Sequence, residues 1–108
     1  MNSLSTHILD ISTGKPAAGV EVKLLREGQS QAVAVTDNNG RISDFVNGEL
    51  SAGTYQLVAE LGVWFARDGR QTLFVRAQID FIISETVDEH FHLPFLIAPG
   101  GWSTYRGS

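Results

Sequence analysis

Cysteine is absent from this chain of 108 residues. Disulfide bridges, thiolate zinc sites and iron–sulfur clusters are therefore excluded, and any metal would need histidine and carboxylate ligands. Basic residues are few and scattered: 8 Lys plus Arg stand against 12 Asp plus Glu, for a formal charge of -4. That balance disfavours a nucleic-acid or anionic-membrane partner. No apolar run approaches the ~20 residues of a membrane helix. The basic stretch and apolar run of a secretory signal are missing as well, so a soluble, cytoplasmic protein is the expectation. There is no internal repeat, low-complexity tract or linker. The 43% of apolar residues suffices for a core, and the length fits one domain spanning 1–108.

What the chain does have is period-two alternation. Val20, Val22 and Leu24 alternate with Glu21 and Lys23, which makes a strand with one buried and one wet face. Residues 32–36 continue the style. Turn-forming residues flank these runs at Thr13-Gly14-Lys15-Pro16 and Asp37-Asn38-Asn39-Gly40. Tyr55, Leu57 and Ala59 share a face of another strand. A longer strand is expected from Leu73 to Ile83, with Val75, Ala77, Ile79, Phe81 and Ile83 inward. Further strands are expected at His90 to Ile97 and Trp102 to Arg106. One segment departs from alternation: Leu61, Trp64 and Phe65 fall at i, i+3 and i+4, with Gly69 at a plausible stop, so a short helix is expected near 60–68. About eight short strands with frequent turns imply an all-β, two-sheet antiparallel sandwich.

Three histidines are the main carriers of chemistry. His90 and His92 lie two apart in a strand, on the same face and roughly 6.5 Å apart. That spacing permits shared metal ligation completed by His7 or Asp88, or a pair in which His90 is simply solvated. His7 shares a strand face with Leu9, and an imidazole of ordinary pKa near ~6.5 suits general base work near neutrality. Arg41 follows the tight turn, where a fixed guanidinium can grip an oxyanion. The tail Ser103-Thr104-Tyr105-Arg106-Gly107-Ser108 offers four hydroxyls. No base stands beside them in sequence, so they read as binding groups rather than nucleophiles.

Several of these segments resemble one family. Leu4-Ser5-Thr6-His7-Ile8-Leu9-Asp10, Gly14-Lys15-Pro16-Ala17 and Gly19-Val20 resemble the start of the transthyretin-related proteins. Thr36 to Arg41 resembles their Thr-x-x-x-Gly-Arg turn, and Gly53-Thr54-Tyr55-Gln56-Leu57 their Gly-x-Tyr-x-Leu strand. His92-Leu93-Pro94-Phe95-Leu96 and the terminal Tyr105-Arg106-Gly107-Ser108 resemble the signature of the branch that hydrolyses 5-hydroxyisourate. The resemblance implies a transthyretin/prealbumin-like sandwich with one short helix. It implies a cofactor-free, metal-free active site of His7, Arg41, His92 and the tetrapeptide Tyr105, Arg106, Gly107 and Ser108. It also implies a homotetramer, a dimer of dimers with sites at the dimer–dimer interface, and a ureido-imidazoline carboxylate as product. Two departures stand out: Trp102 replaces a usual tyrosine, and Thr72-Leu73-Phe74-Val75-Arg76 replaces a Phe-Phe-Pro segment.

Three further expectations follow. His7 and His92 would share the roles of base and acid, and the rate would fall below roughly pH 6, where a histidine of near-normal pKa protonates. The apolar face formed by Phe91, Leu93, Phe95 and Ile97 would call for cover by a second subunit. The competing functions are a non-catalytic carrier of a small ligand and a prealbumin-like structural module, the latter accounting for residues 12–59 but nothing after Glu89.

Overall fold

The alternating strands assemble into two facing sheets in the computed structural model, which describes residues 2–45, 50–85 and 88–108. In chain order the elements are β1 (Ser3–Asp10), β2 (Lys15–Pro16), β3 (Glu21–Arg26), β4 (Gln29–Val35), β5 (Arg41–Ile42), β6 (Gly53–Ala59), α1 (Leu61–Arg67), β7 (Ala77–Ile83), β8 (His90–His92), β9 (Phe95–Ala98) and β10 (Gly101–Thr104). One sheet runs β4-β3-β6-β7. The other runs β10-β9-β1-β2, with β5 and β8 also paired to β1.

The inward positions meet between the sheets. Leu4 and Ile8 of β1, Val22 and Leu24 of β3, Leu57 of β6 and Phe95 of β9 are fully buried. Each such side chain contributes roughly 1.5–3 kcal/mol of transfer free energy. The helix forms where the apolar spacing changes to three and four: Leu61 and Phe65 enter the core, and the Trp64 indole N–H donates to the Ala18 carbonyl at 2.7 Å. Gly69, with φ +67, closes the helix in the left-handed conformation that glycine tolerates. Among the described residues no helix is long and apolar enough to cross a membrane.

The structure differs from expectation at three places. The long strand starts at Ala77 rather than Leu73. The Val75 carbonyl is committed to the Gly62 N–H of α1 at 2.9 Å, so the chain here follows the helix, leaving Val75 62% and Leu73 87% exposed. The strand expected over 90–97 is broken between His92 and Phe95, where Pro94 has no N–H for a ladder, into β8 and β9. Both halves pair with β1 in parallel within an otherwise antiparallel sandwich. Finally, Phe91, Leu93, Phe95 and Ile97 are already buried within one chain. They belong to the core, so their apolar character is no reason for a second subunit.

One buried charge joins the end of β1 to the end of α1. Asp10 is 2% exposed and accepts hydrogen bonds from the Ser12 N–H at 3.0 Å, the Ser12 hydroxyl, and Arg70 Nη2 at 2.8 Å. Burial pushes its pKa up, but the bonds from Ser12 and Arg70 outweigh it and hold the carboxyl below its ordinary value. The Arg70 guanidinium also lies 5.6 and 4.9 Å from the ring centroids of Trp64 and Phe65. Arg70→Ala is expected to cost roughly 3 kcal/mol at neutral pH, because it strands a buried anion. A depressed carboxylate pKa gives stability above its unfolded value of ~3.9, lost as pH falls through the folded value. The mutational cost should therefore shrink as pH falls toward 4, because the stranded carboxyl, without Arg70, protonates at higher pH than the parent's. Urea melts at pH 7 and pH 4 check this; equal midpoints for variant and parent at pH 7 would contradict it.

Candidate active site

β1 organises the site because its odd residues face away from the core. Leu4, Thr6 and Ile8 are buried, while Ser3, Ser5, His7 and Leu9 lie on the opposite face, as alternation requires. On one side β5 pairs His7 with Arg41. The turn before β5 fixes that register: Asp37 Oδ1 accepts the Asn39 and Arg41 N–H groups at 2.8 and 3.0 Å. Gly40 has φ +74, and its carbonyl accepts the Ile8 N–H at 2.7 Å. A Cβ at position 40 would lie 2.5 Å from the Ile8 carbonyl oxygen, so only glycine lets the turn approach β1 this closely.

On the other side β8 runs parallel to β1, with Ser3 opposite His90 and Ser5 opposite His92. The tail returns over β8: the Gly107 N–H donates to the His92 carbonyl at 2.7 Å. A Cβ at Gly107 would meet His92 Cδ2 at 2.5 Å, so this position too requires glycine, here for packing against the imidazole. The result is a cleft of about 260 Å³ sized for a small molecule and lined by Ser5, Arg41, Ser43, His90, His92 and Ser108.

The pair His90 and His92 is tied to serines. Ser5 Oγ lies 2.7 Å from His92 Nδ1 and 2.8 Å from His90 Nε2, and Ser3 Oγ lies 2.6 Å from His90 Nδ1. Three of the pair's four ring nitrogens are engaged in this way, which leaves His92 Nε2 for the cleft. Metal ligation by the pair is thus not what the geometry favours; among the described residues no three His, Cys, Asp or Glu side chains converge to hold a metal ion.

Burial lowers the pKa of His92, and the charges of Arg41, His7 and His90 lower it further. Burial and then Arg41 also lower that of His7, against opposing effects of a hydrogen bond to the Asn39 backbone and of Asp37. Both imidazoles are therefore neutral at pH 7 and have a lone pair to offer a proton. Both imidazoles are held below the ordinary histidine value, so the acid limb should lie lower than an ordinary histidine would place it.

Of the residues named from sequence, Arg41, His92 and Ser108 line the cleft together. His7 flanks it, opposite Arg41 in the ladder and close enough to act on the charge of His92. Gly107 packs on the His92 ring. Within a single chain Tyr105 and Arg106 stand outside the lining. Tyr105 is 57% exposed, and Arg106 pairs with Glu89 at 3.2 Å while its guanidinium lies 4.8 Å from the Phe91 ring centroid. Sequence reasoning missed Ser3, Ser5 and Ser43. The signal for the first two was the alternation of β1, which puts them on the face of His7; what hid their role was the parallel register with β8.

The HIUase/Transthyretin family profile matches residues 4–107. The chain belongs to this family. The 5-hydroxyisourate hydrolase of Halalkalibacterium halodurans is 41% identical over 97% of this chain and 97% of its own. The solved structure of Klebsiella pneumoniae 5-hydroxyisourate hydrolase is 64% identical, covers 100% of both chains and superposes with a TM-score of 0.95. Sea bream transthyretin, solved with thyroxine, is 24% identical over 96% of this chain and 93% of its own, with a TM-score of 0.88, a likeness of fold alone. Within the family pattern the two departures keep clear of the cleft lining. Trp102 is half-buried against Phe95 at 6.0 Å between centroids, and the segment from Thr72 lies along α1, with the Thr72 hydroxyl donating to the Pro99 carbonyl at 2.7 Å.

Proposed function

We propose that this protein hydrolyses 5-hydroxyisourate to 2-oxo-4-hydroxy-4-carboxy-5-ureidoimidazoline in urate degradation, with a histidine pair activating water and no cofactor. The observation that carries this reading is the imidazole pair of His7 and His92, both held below the ordinary histidine pKa by burial and Arg41, at a small cleft in a chain of this family. Opening a cyclic amide asks for a base to take a proton from water, donors for the developing oxyanion, and a proton for the departing nitrogen. The histidines supply the proton chemistry. Arg41 holds the oxyanion, and Ser108 binds the ring edge.

The working assembly in this reading is a homotetramer with sites between dimers. An open cleft and an exposed Tyr105 support it, because a neighbouring copy would close the site against water and bring tail residues over the substrate. Light scattering should then give the mass of four 11.8 kDa chains, and a monomer at micromolar concentration would contradict the assembly. The chemistry is tested by product. Urate labelled with carbon-13 and oxidised by urate oxidase should pass, with this protein present, into the ureido-imidazoline carboxylate. Persistence of the 5-hydroxyisourate carbon signals for as long as without the protein would contradict it.

A further inference from the structure

We infer that Ser5 and His90 form, with Ser3, a proton-conducting array that lets His92 act first as base and then as acid within one turnover. This deepens the hydrolase reading and rests on it. The array is continuous, with contacts of 2.6, 2.8 and 2.7 Å joining Ser3 Oγ, both nitrogens of His90, Ser5 Oγ and His92 Nδ1. Its outer end, Ser3, is half-buried beside the exposed His90, and its inner end, His92, is half-buried at the cleft. It therefore joins solvent to the reacting site.

With both imidazoles neutral, hydroxyl stoichiometry leaves the array two ordered states. A serine has one proton, so Ser5 can donate to only one of its two imidazole partners. In the first state His92 Nδ1–H donates to Ser5, Ser5 donates to His90 Nε2, and His90 Nδ1–H donates to Ser3. His92 Nε2 then carries a lone pair toward the cleft and is a base. In the second state every donor and acceptor is reversed, and His92 Nε2 carries a proton and is an acid. Passing from the first to the second takes one proton in at His92 Nε2 and one out at Ser3.

The reaction uses both passages. As water attacks the ring carbonyl and forms the C–O bond, Nε2 takes its proton and the array releases one to solvent. As the C–N bond breaks, Nε2 gives its proton to the departing ureido nitrogen and the array takes one back from solvent, which restores the first state. The new carboxylic acid ionises directly, so each turnover releases one net proton. Neutral imidazole is maintained throughout, which matters at this position. Arg41 on β5, His7 on β1 and His90 on β8 all oppose a positive charge on His92, with the Glu89–Arg106 pair and Asp88 at the outer end.

Ser5→Ala cuts the array beside His92, and His90→Gln cuts it at an exposed position where folding is not at stake. Each should lower kcat for 5-hydroxyisourate about tenfold or more while KM stays within about twofold, since neither group is asked to hold the substrate. Added imidazole buffer should raise the rate of both variants and leave the parent rate flat. In the resting protein at neutral pH, nitrogen-15 shifts of the imidazoles should show His90 and His92 each changing tautomer balance in Ser5→Ala. Parental kcat in both variants, or a His92 nitrogen spectrum indifferent to Ser5→Ala, would overturn the array. Absence of activity in the parent would instead defeat the hydrolase reading, and the nitrogen spectra would still decide whether Ser5 couples the two rings.

Discussion

His92→Asn should keep the fold and lose at least about a hundredfold of the hydrolytic rate. The fold is expected to survive because the backbone at this position does the structural work: its carbonyl accepts the Gly107 N–H, and its strand register is set by β1. An asparagine amide can still reach toward Ser5, so the local hydrogen bonding need not collapse. What it cannot do is accept a proton near neutral pH, and nothing else in the cleft stands where His92 Nε2 does. Initial rates beside a thermal melt check the result. A variant with parental melting temperature and a rate within a few-fold of parent would remove His92 from the chemistry.

Arg41→Gln carries the second large effect. The turn holds the residue 41 backbone through Asp37 and Gly40, so the substitution leaves the ladder to His7 intact. It removes the charge that would hold the oxyanion, at a cost of roughly 10²–10³ in kcat. It also acts on both histidines. Burial is the first cause of their lowered pKa values and Arg41 the second, so losing the guanidinium should return part of each shift and raise both values. A base is active only when deprotonated. The acid limb of kcat/KM should therefore lie below the ordinary ~6.5 in the parent and move to higher pH in Arg41→Gln. A limb that stays put, or moves to lower pH, would contradict the electrostatic account.

Much of this was legible because it is local. The spacing of Leu61, Trp64 and Phe65 announces α1, and alternation in β1 sorts Ile8 inward from His7 outward. The Asp37 to Gly40 turn could be read from residue types that bond their own backbone and accept positive φ. The features that were not legible depend on distant pairing. Val75 fits an inward strand position by period, yet its carbonyl is claimed by α1. Phe91 to Ile97 looked like a face in want of a partner because nothing in the order of residues reveals that the chain's own core takes it. Asp10 and Arg70 lie 60 positions apart. Ser5 carries no signal of its own in the sequence; only the parallel register of β1 with β8 places its hydroxyl between two imidazoles.

The most direct measurement is the ultraviolet decay of 5-hydroxyisourate, formed in place by urate oxidase, at neutral pH with chelator-treated protein. The account predicts a decay that quickens in proportion to protein concentration and returns to the spontaneous rate with His92→Asn. Decay at the spontaneous rate with the parent chain would contradict it.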